Sequence, residues 1–425
     1  MKIDAKPGDY IEVNTGDSVY SGLLMPRPDL ADKEHIMLKL DSGYNMGIAL
    51  DEIKGVKKLE KKAKLESFPS QKVEKNPKLP SIDILGCGGT IASRVDYETG
   101  GVKAAMSPEE IFFTVPELKD IANLNNVKLL FNIWSENMMP KHWQEMAKEA
   151  AKSLNLGSRG VVLMHGTDTM HYSSAALSFM LKDLSGPVVF TGAQRSSDRG
   201  SSDAPQNLIC SSHIAAKSDL GEVVVCMHGS ESDDFCLAHR GTKVRKMHTS
   251  RRDAFQSVNA SPLLKVTPKG EITKLAEYRK ADGNTTADTK FEEKTALIKV
   301  YPGVDAGLIE YCIDKKFKGI VIEATGLGQV PDYIHNSIQR ALDKDIAIVF
   351  AAQTIYGRLN PYVYEPARKM KAVGVIYAED MMPEVAYVKL GWVLGHGLDP
   401  ATEMLKDYAG EVSKRSEEMG RVGIK

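Results

Sequence analysis

The sequence predicts an α/β protein: a two-domain body built on parallel sheets, preceded by a small N-terminal β-barrel domain. Three observations carry this. From Ile82 onward, short apolar runs alternate with helical stretches, the grammar of βαβ units around a parallel sheet. A second, shorter series of the same kind follows a polar connector. Ahead of both, residues 8 to 56 alternate apolar and polar positions between Gly, Asp and Pro turns, the pattern of an antiparallel barrel. At 425 residues the chain also exceeds the size at which one core usually keeps growing. The domains are placed at residues 1–75, 76–270 and 271–425.

In chain order, "DYIEV", "YSGLLMP" and "HIMLKL" supply the barrel strands. Lys54 to Pro80, rich in Lys and Pro, reads as a solvated linker. Then "IDILG", "VKLLFNIW", "GVVLM", "PVVFTG" and "EVVVCM" are strands, interleaved with helices such as "PKHWQEMAKEAAKSL" and "HYSSAALSFMLKDL", up to about Pro268. The connector "RKADGNTTADTKFEEK" leads to strands "ALIKVYPG", "GIVIEATGLG", "DIAIVFAAQ" and "AVGVIYAED". Between them lie helices such as "PDYIHNSIQRALDK" and "MPEVAYVKLGWVLG".

Composition narrows the function classes. Lys+Arg 55 against Asp+Glu 56 gives a formal net charge of -1, so no global field draws in nucleic acid or an acidic membrane. The five cysteines, Cys87, Cys210, Cys226, Cys236 and Cys312, are scattered and lack CxxC spacing, which argues against a disulfide framework and a zinc site and for a reducing compartment. No run approaches the ~18 apolar residues of a membrane span, and no secretory signal core opens the chain. A soluble, cytoplasmic protein is expected.

The chemistry concentrates at strand ends, where ligands collect in open parallel sheets. The first strand runs into "GCGGTIAS", where Gly86, Gly88 and Gly89 allow close backbone approach and Thr90 supplies a hydroxyl. This run lacks the G-x-G-x-x-G register of a dinucleotide site and the GK[ST] of a P-loop. Another strand runs into "WSENM" and a third into "HGTDT". A threonine hydroxyl is a poor nucleophile at neutral pH unless a base or relay takes its proton. A second Thr, an Asp and a Lys form such a relay, and in "TKVRKMHTSRRDAF" both Lys243 and Lys246 are candidates for the amine. The competing reading of both lysines is a solvated basic loop.

Together, "GGTIAS" and "VLMHGTDTM" closely resemble the two signature motifs of the bacterial-type L-asparaginase/glutaminase family, a resemblance running from about Ile82 to the C-terminus. With the barrel ahead of it, and with "QTIYGRLN" and "KMKAVGVIYAEDM" behind, the chain resembles the GatD branch of that family, found in the archaeal glutamyl-tRNA(Gln) amidotransferases. The resemblance implies Thr90 as nucleophile, Thr167 and Asp168 as relay threonine and carboxylate, Lys246 as the relay amine, and Tyr97 on a mobile loop covering Thr90. It implies Ser135 and Glu136, with Thr167 and Asp168, as the substrate-binding residues. Two positions depart from the family pattern: Cys87 stands where many members have Thr, and Leu327 where many secreted asparaginases have Asn.

The implied activity is release of ammonia from Asn or Gln, with no metal or cofactor in this chain. The implied partner is GatE, the amidotransferase component that uses ATP and Mg to amidate Glu-tRNA(Gln) and makes most of the contact with tRNA(Gln). A homodimer core within a heterotetramer is implied as well. The alternatives are a free-standing asparaginase or glutaminase and a non-catalytic scaffold. His165, His171, His228, His239 and His248 have no metal-binding spacing and read as structural. Asp198, Arg199 and Asp203 read as shaping a loop near the site, and "RKMHTSRRD" as a loop supporting Lys246.

Overall fold

The computed structural model describes residues 4–25, 34–40, 45–59, 75–88, 93–95, 102–104, 111–112, 115–195 and 202–416. At the N-terminus, strands β1 (Tyr10–Asn14), β2 (Val19–Leu24), β3 (His35–Leu40), β4 (Asn45–Ala49) and β5 (Gly55–Lys58) form one antiparallel sheet in the order β4-β3-β2-β1-β5. Ile11, Val13, Leu24, Ile36, Leu38, Ile48 and Ile53 form its core. Among the described residues no pairing joins β4 to β5. Its last strand occupies the first residues of the stretch read as linker.

The body is organised by an eight-stranded sheet. Its strands are β6 (Ser81–Gly86), β9 (Asn123–Leu129), β10 (Val161–Met164), β12 (Val188–Thr191), β13 (Val223–His228), β14 (Cys236–Arg240), β17 (Leu264–Val266) and β18 (Ile272–Lys274). The order is β18-β17-β14-β13-β12-β10-β6-β9. Strands β9, β6, β10, β12 and β13 are parallel, and β14, β17 and β18 add an antiparallel edge. "VVLM" in β10 is buried throughout because helices cover both faces of the parallel part, so its run is continuously apolar.

On one face lies the helix Pro140–Asn155, which opens with Pro at its start and buries Trp143, Met146, Ala147, Ala150, Ala151 and Leu154 along one stripe. Beside it, Met170–Met180 is buried nearly all round, sandwiched against the C-terminal helix Pro383–Gly395. The opposite face is covered by Ala204–Lys217.

Short pairs complete the body: β7 (Ser93–Val95) with β8 (Val102–Ala104), β11 (Leu181–Lys182) with β19 (Thr286–Ala287), and β15 (Val244–Lys246) with β16 (Phe255–Ser257). The C-terminal domain is a parallel sheet of β20 (Thr295–Lys299), β21 (Gly319–Ala324), β22 (Ala347–Ala352) and β23 (Ile376–Tyr377). One apolar core runs through both domains, joining Leu163, Leu177 and Val225 to Val321, Val349 and Val388.

Candidate active site

The chain passes from β6 to β9 on one side, then returns to place β10 on the other side of β6. That reversal is a topological switch point, and the crevice outside the carboxyl ends of β6 and β10 is where an open α/β sheet takes its ligand. "GCG" and "HGTDT" both lie there.

Close backbone approach brings these loops together. Gly88 has φ +93°, and a Cβ there would lie 2.1 Å from the carbonyl oxygen of Ile133, so the turn after β6 rests on the backbone leading to Ser135. A Cβ on Gly166 would lie 2.8 Å from Cβ of Ser135. Thr169 Oγ1 donates to the Ser135 carbonyl at 2.6 Å, pinning the third loop to the second. Ser135 is buried and Glu136 exposed in the short 3-10 turn Ser135–Asn137. Gly88→Ala is expected to strain this junction by about 1–3 kcal/mol. Thermal midpoint and ammonia release should fall together, and an unchanged midpoint would count against the tight approach.

Lys246 closes the constellation from the antiparallel ribbon of β15 and β16. Its Nζ donates to Thr167 Oγ1 at 2.8 Å and to Asp168 Oδ1 at 2.6 Å. The Lys246 side chain is 10% exposed and that of Asp168 67%, so the amine is enclosed while the carboxylate faces the open crevice. Of the two candidate lysines, only Lys246 is brought to Thr167. Lys243, the other candidate amine, fits neither that role nor the competing solvated-loop reading: it is buried, with Nζ 2.7 Å from Asp380 Oδ2 in the C-terminal domain.

Below the site, His165 holds the turn. Burial pushes its pKa down to about 4, so the ring is neutral at pH 7. Nδ1 lies 2.6 Å from the Gly166 carbonyl and carries the proton. Nε2 then accepts from Ser173 Oγ at 2.9 Å, and that hydroxyl accepts from the Trp143 indole at 3.0 Å. His171 and His239 are likewise buried, with desolvation the main cause of pKa values lowered to about 3 and about 4. His228 hydrogen-bonds Asn207 and Asp233, and the His248 ring accepts from the backbone N–H groups of Ser250 and Arg251.

Buried Asp203 accepts from the backbone N–H groups of Gln194 and Arg195 and shapes the loop after β12. Cys87 packs into the core behind β6, where burial raises its thiol pKa strongly, so this departure from the family pattern is a core substitution. Leu327 is half-exposed in a turn after β21. Thr90, Tyr97, Asp198 and Arg199 lie outside the described residues.

Sequence reasoning missed the fastening roles of Gly166, Thr169, Ser173 and Trp143. The small residues inside "HGTDT" were the available signal for the first two. Ser173 and Trp143 meet only in the fold. Among the described residues, no group of three or more His, Cys, Asp or Glu is placed to hold a metal. None of their helices is long and apolar enough to cross a membrane.

Fold and site together define an asparaginase-type body carrying an added N-terminal β domain. Residues 81–278 match the family model for the asparaginase N-terminal domain, residues 294–403 that for the glutaminase/asparaginase C-terminal domain, and residues 5–59 that for the GatD N-terminal domain. GatD of Pyrococcus furiosus, a glutamyl-tRNA(Gln) amidotransferase component, is 54% identical over 416 residues, covering 96% of this chain and 94% of the relative. Its counterpart from Methanopyrus kandleri is 48% identical over 396 residues, covering 91% and 86%. Among solved structures, the thermostable L-asparaginase from Thermococcus kodakarensis superposes with a TM-score of 0.71 at 28% identity, covering 79% of this chain and 100% of the other. L-asparaginase I from Vibrio cholerae gives 0.68 at 26% identity, with 79% and 99% covered. The chain belongs to the GatD family of glutamyl-tRNA(Gln) amidotransferase components.

Proposed function

We propose that the chain is the ammonia-producing component of a tRNA-dependent amidotransferase, acting in the cytoplasm. The observation that carries the reading is the contact of Lys246 with both Thr167 and Asp168 at the switch-point crevice. Thr90 attacks the side-chain amide carbon of Asn or Gln, the C–N bond breaks, and the nitrogen leaves as ammonia after taking up a proton. Water then hydrolyses the acyl-threonine to give Asp or Glu. Lys246 holds a hydrogen bond on Thr167 Oγ1, orienting this hydroxyl to relay the proton lost by the attacking Thr90 hydroxyl to the leaving nitrogen. Asp168 offers its exposed carboxylate to the substrate ammonium, with Ser135 and Glu136 lining the same end. The family resemblance assigns Tyr97 the role of covering the nucleophile. Backbone N–H donors at the developing oxyanion would contribute about 3 kcal/mol or more.

Ammonia passes to GatE, which consumes ATP with Mg to convert Glu-tRNA(Gln) to Gln-tRNA(Gln). The working assembly is a homodimer of this chain within a heterotetramer. The N-terminal domain favours this over a free-standing asparaginase: the GatD relatives match nearly the full chain, the solved asparaginases 79% of it. The test is ammonia release by the chain alone, with GatE, and with GatE plus Glu-tRNA(Gln). Activation of about 5- to 150-fold is expected, the usual scale of coupling between sites. Equal rates in all three would favour the free-standing enzyme.

A further inference from the structure

We propose that Lys243 and Asp380 are a positioning pair through which the C-terminal domain fixes the ribbon that presents Lys246. The inference rests on the amidase reading above for its kinetic readout, and on geometry alone for its second readout.

Lys246 stands at the far end of a ribbon of three residue pairs, Val244 with Ser257, Arg245 with Gln256 and Lys246 with Phe255. So short a two-stranded ribbon is not stable by itself and takes its orientation from its base. Within its own domain the base is held by Lys243 N–H on the Arg240 carbonyl at 2.9 Å and by the Ser257 hydroxyl against His239 Nδ1 at 2.8 Å, and it is fastened to the other domain as well. Lys243, whose side chain is 2% exposed, reaches Asp380 Oδ2 at 2.7 Å. Burial lowers the Lys243 pKa and opposes ionisation of Asp380, while the Lys243 ammonium beside it holds the Asp380 carboxyl below its usual range. The Lys243 carbonyl accepts from Val258 N–H at 2.8 Å, which ties the second strand to the same anchor.

Asn259 follows at φ +54° and makes three bonds across the domain junction. Its amide donates to the carbonyls of Gly357 and Asp380, both at 3.0 Å, and accepts from Gly357 N–H at 2.9 Å. Asp380 Oδ1 takes a further bond from Ser413 N–H at 2.9 Å, so the C-terminal tail locks the anchor. Arg245 points the same way, with Nε 3.4 Å from Glu384 Oε1. The substrate-side loops carrying Ser135 and Asp168 are held separately, through Gly88, Thr169 and His165. Loosening the anchor therefore moves the amine relative to Thr167 and leaves the binding loops where they are.

The test uses the full-length chain. Asp380→Asn removes the counter-charge, and Lys243→Met combined with Asp380→Leu removes both charges, so that no buried ion is left unpaired. In folded variants kcat for ammonia release should fall at least about tenfold with KM within about twofold, as expected when the transition state loses an interaction the ground state does not use. Independently, acetylation of the Lys246 amine by acetic anhydride, followed by peptide mass spectrometry, should quicken at least threefold. A folded double variant with wild-type kcat and wild-type labelling overturns the proposal. Should wild-type protein release no ammonia, the amidase reading fails and labelling alone decides: faster acetylation supports the positioning pair and unchanged acetylation overturns it.

Discussion

Replacing Lys246 with methionine is expected to lower kcat/KM for ammonia release by about 10²- to 10⁴-fold, the range that a positioned proton-transfer group supplies. The side chain touches only Thr167 and Asp168 among described polar partners, and Asp168 is two-thirds exposed. Water therefore takes over the carboxylate once the amine is gone, and folding is preserved. Thr167→Val removes the other half of the same contact and should cost a similar factor. Because the two groups act as one unit, the double variant should be scarcely slower than either single one. Steady-state ammonia release across the four proteins checks this. Full multiplicative losses would mean that Lys246 and Thr167 contribute through separate steps, and a mild Lys246→Met would remove the lysine from the reaction.

Much of the site was legible because its determinants are local. Strands buried on both faces leave continuous apolar runs such as "GVVLM", and small polar residues at their ends mark the crevice. The antiparallel edge was not legible: "CLAHR" in β14 mixes buried and half-buried positions without the run that a buried parallel strand shows. The helix read as "HYSSAALSFMLKDL" stops at Met180, since Leu181 and Lys182 leave it to pair with Ala287 and Thr286. Lys243 and Lys246 are indistinguishable by residue type. What separates them is Asp380, 137 residues further along the chain, and no local pattern carries that information. Thr90 remains assigned by its signature motif and Tyr97 by the family resemblance of its loop.

The largest effect on stability is expected at a second buried ion pair, which fastens the C-terminal tail. Lys389 Nζ lies 2.6 Å from Glu411 Oε1, and both side chains are fully enclosed. The ammonium also donates to the carbonyls of Met404 and Lys406, and the Glu411 carboxylate accepts from the N–H groups of Tyr408 and Ala409. Every donor of the lysine is thus used, and the tail folds around its own counter-charge. Lys389→Met would leave a carboxylate and two carbonyls without the cation, a cost of about 3–5 kcal/mol. Lys389→Met with Glu411→Leu should recover only the part due to the unpaired carboxylate, since the Met404 and Lys406 carbonyls and the Tyr408 and Ala409 N–H groups still lose their partners. The tail meets the body at Thr242, whose hydroxyl donates to the Ala409 carbonyl, and at Asp380, which accepts from Ser413 N–H. Release in the single variant should therefore show first as faster hydrogen exchange across residues 404–413, then as quicker acetylation of Lys246. Exchange in the single variant as slow as in wild type would show that the tail is held by its apolar contacts alone.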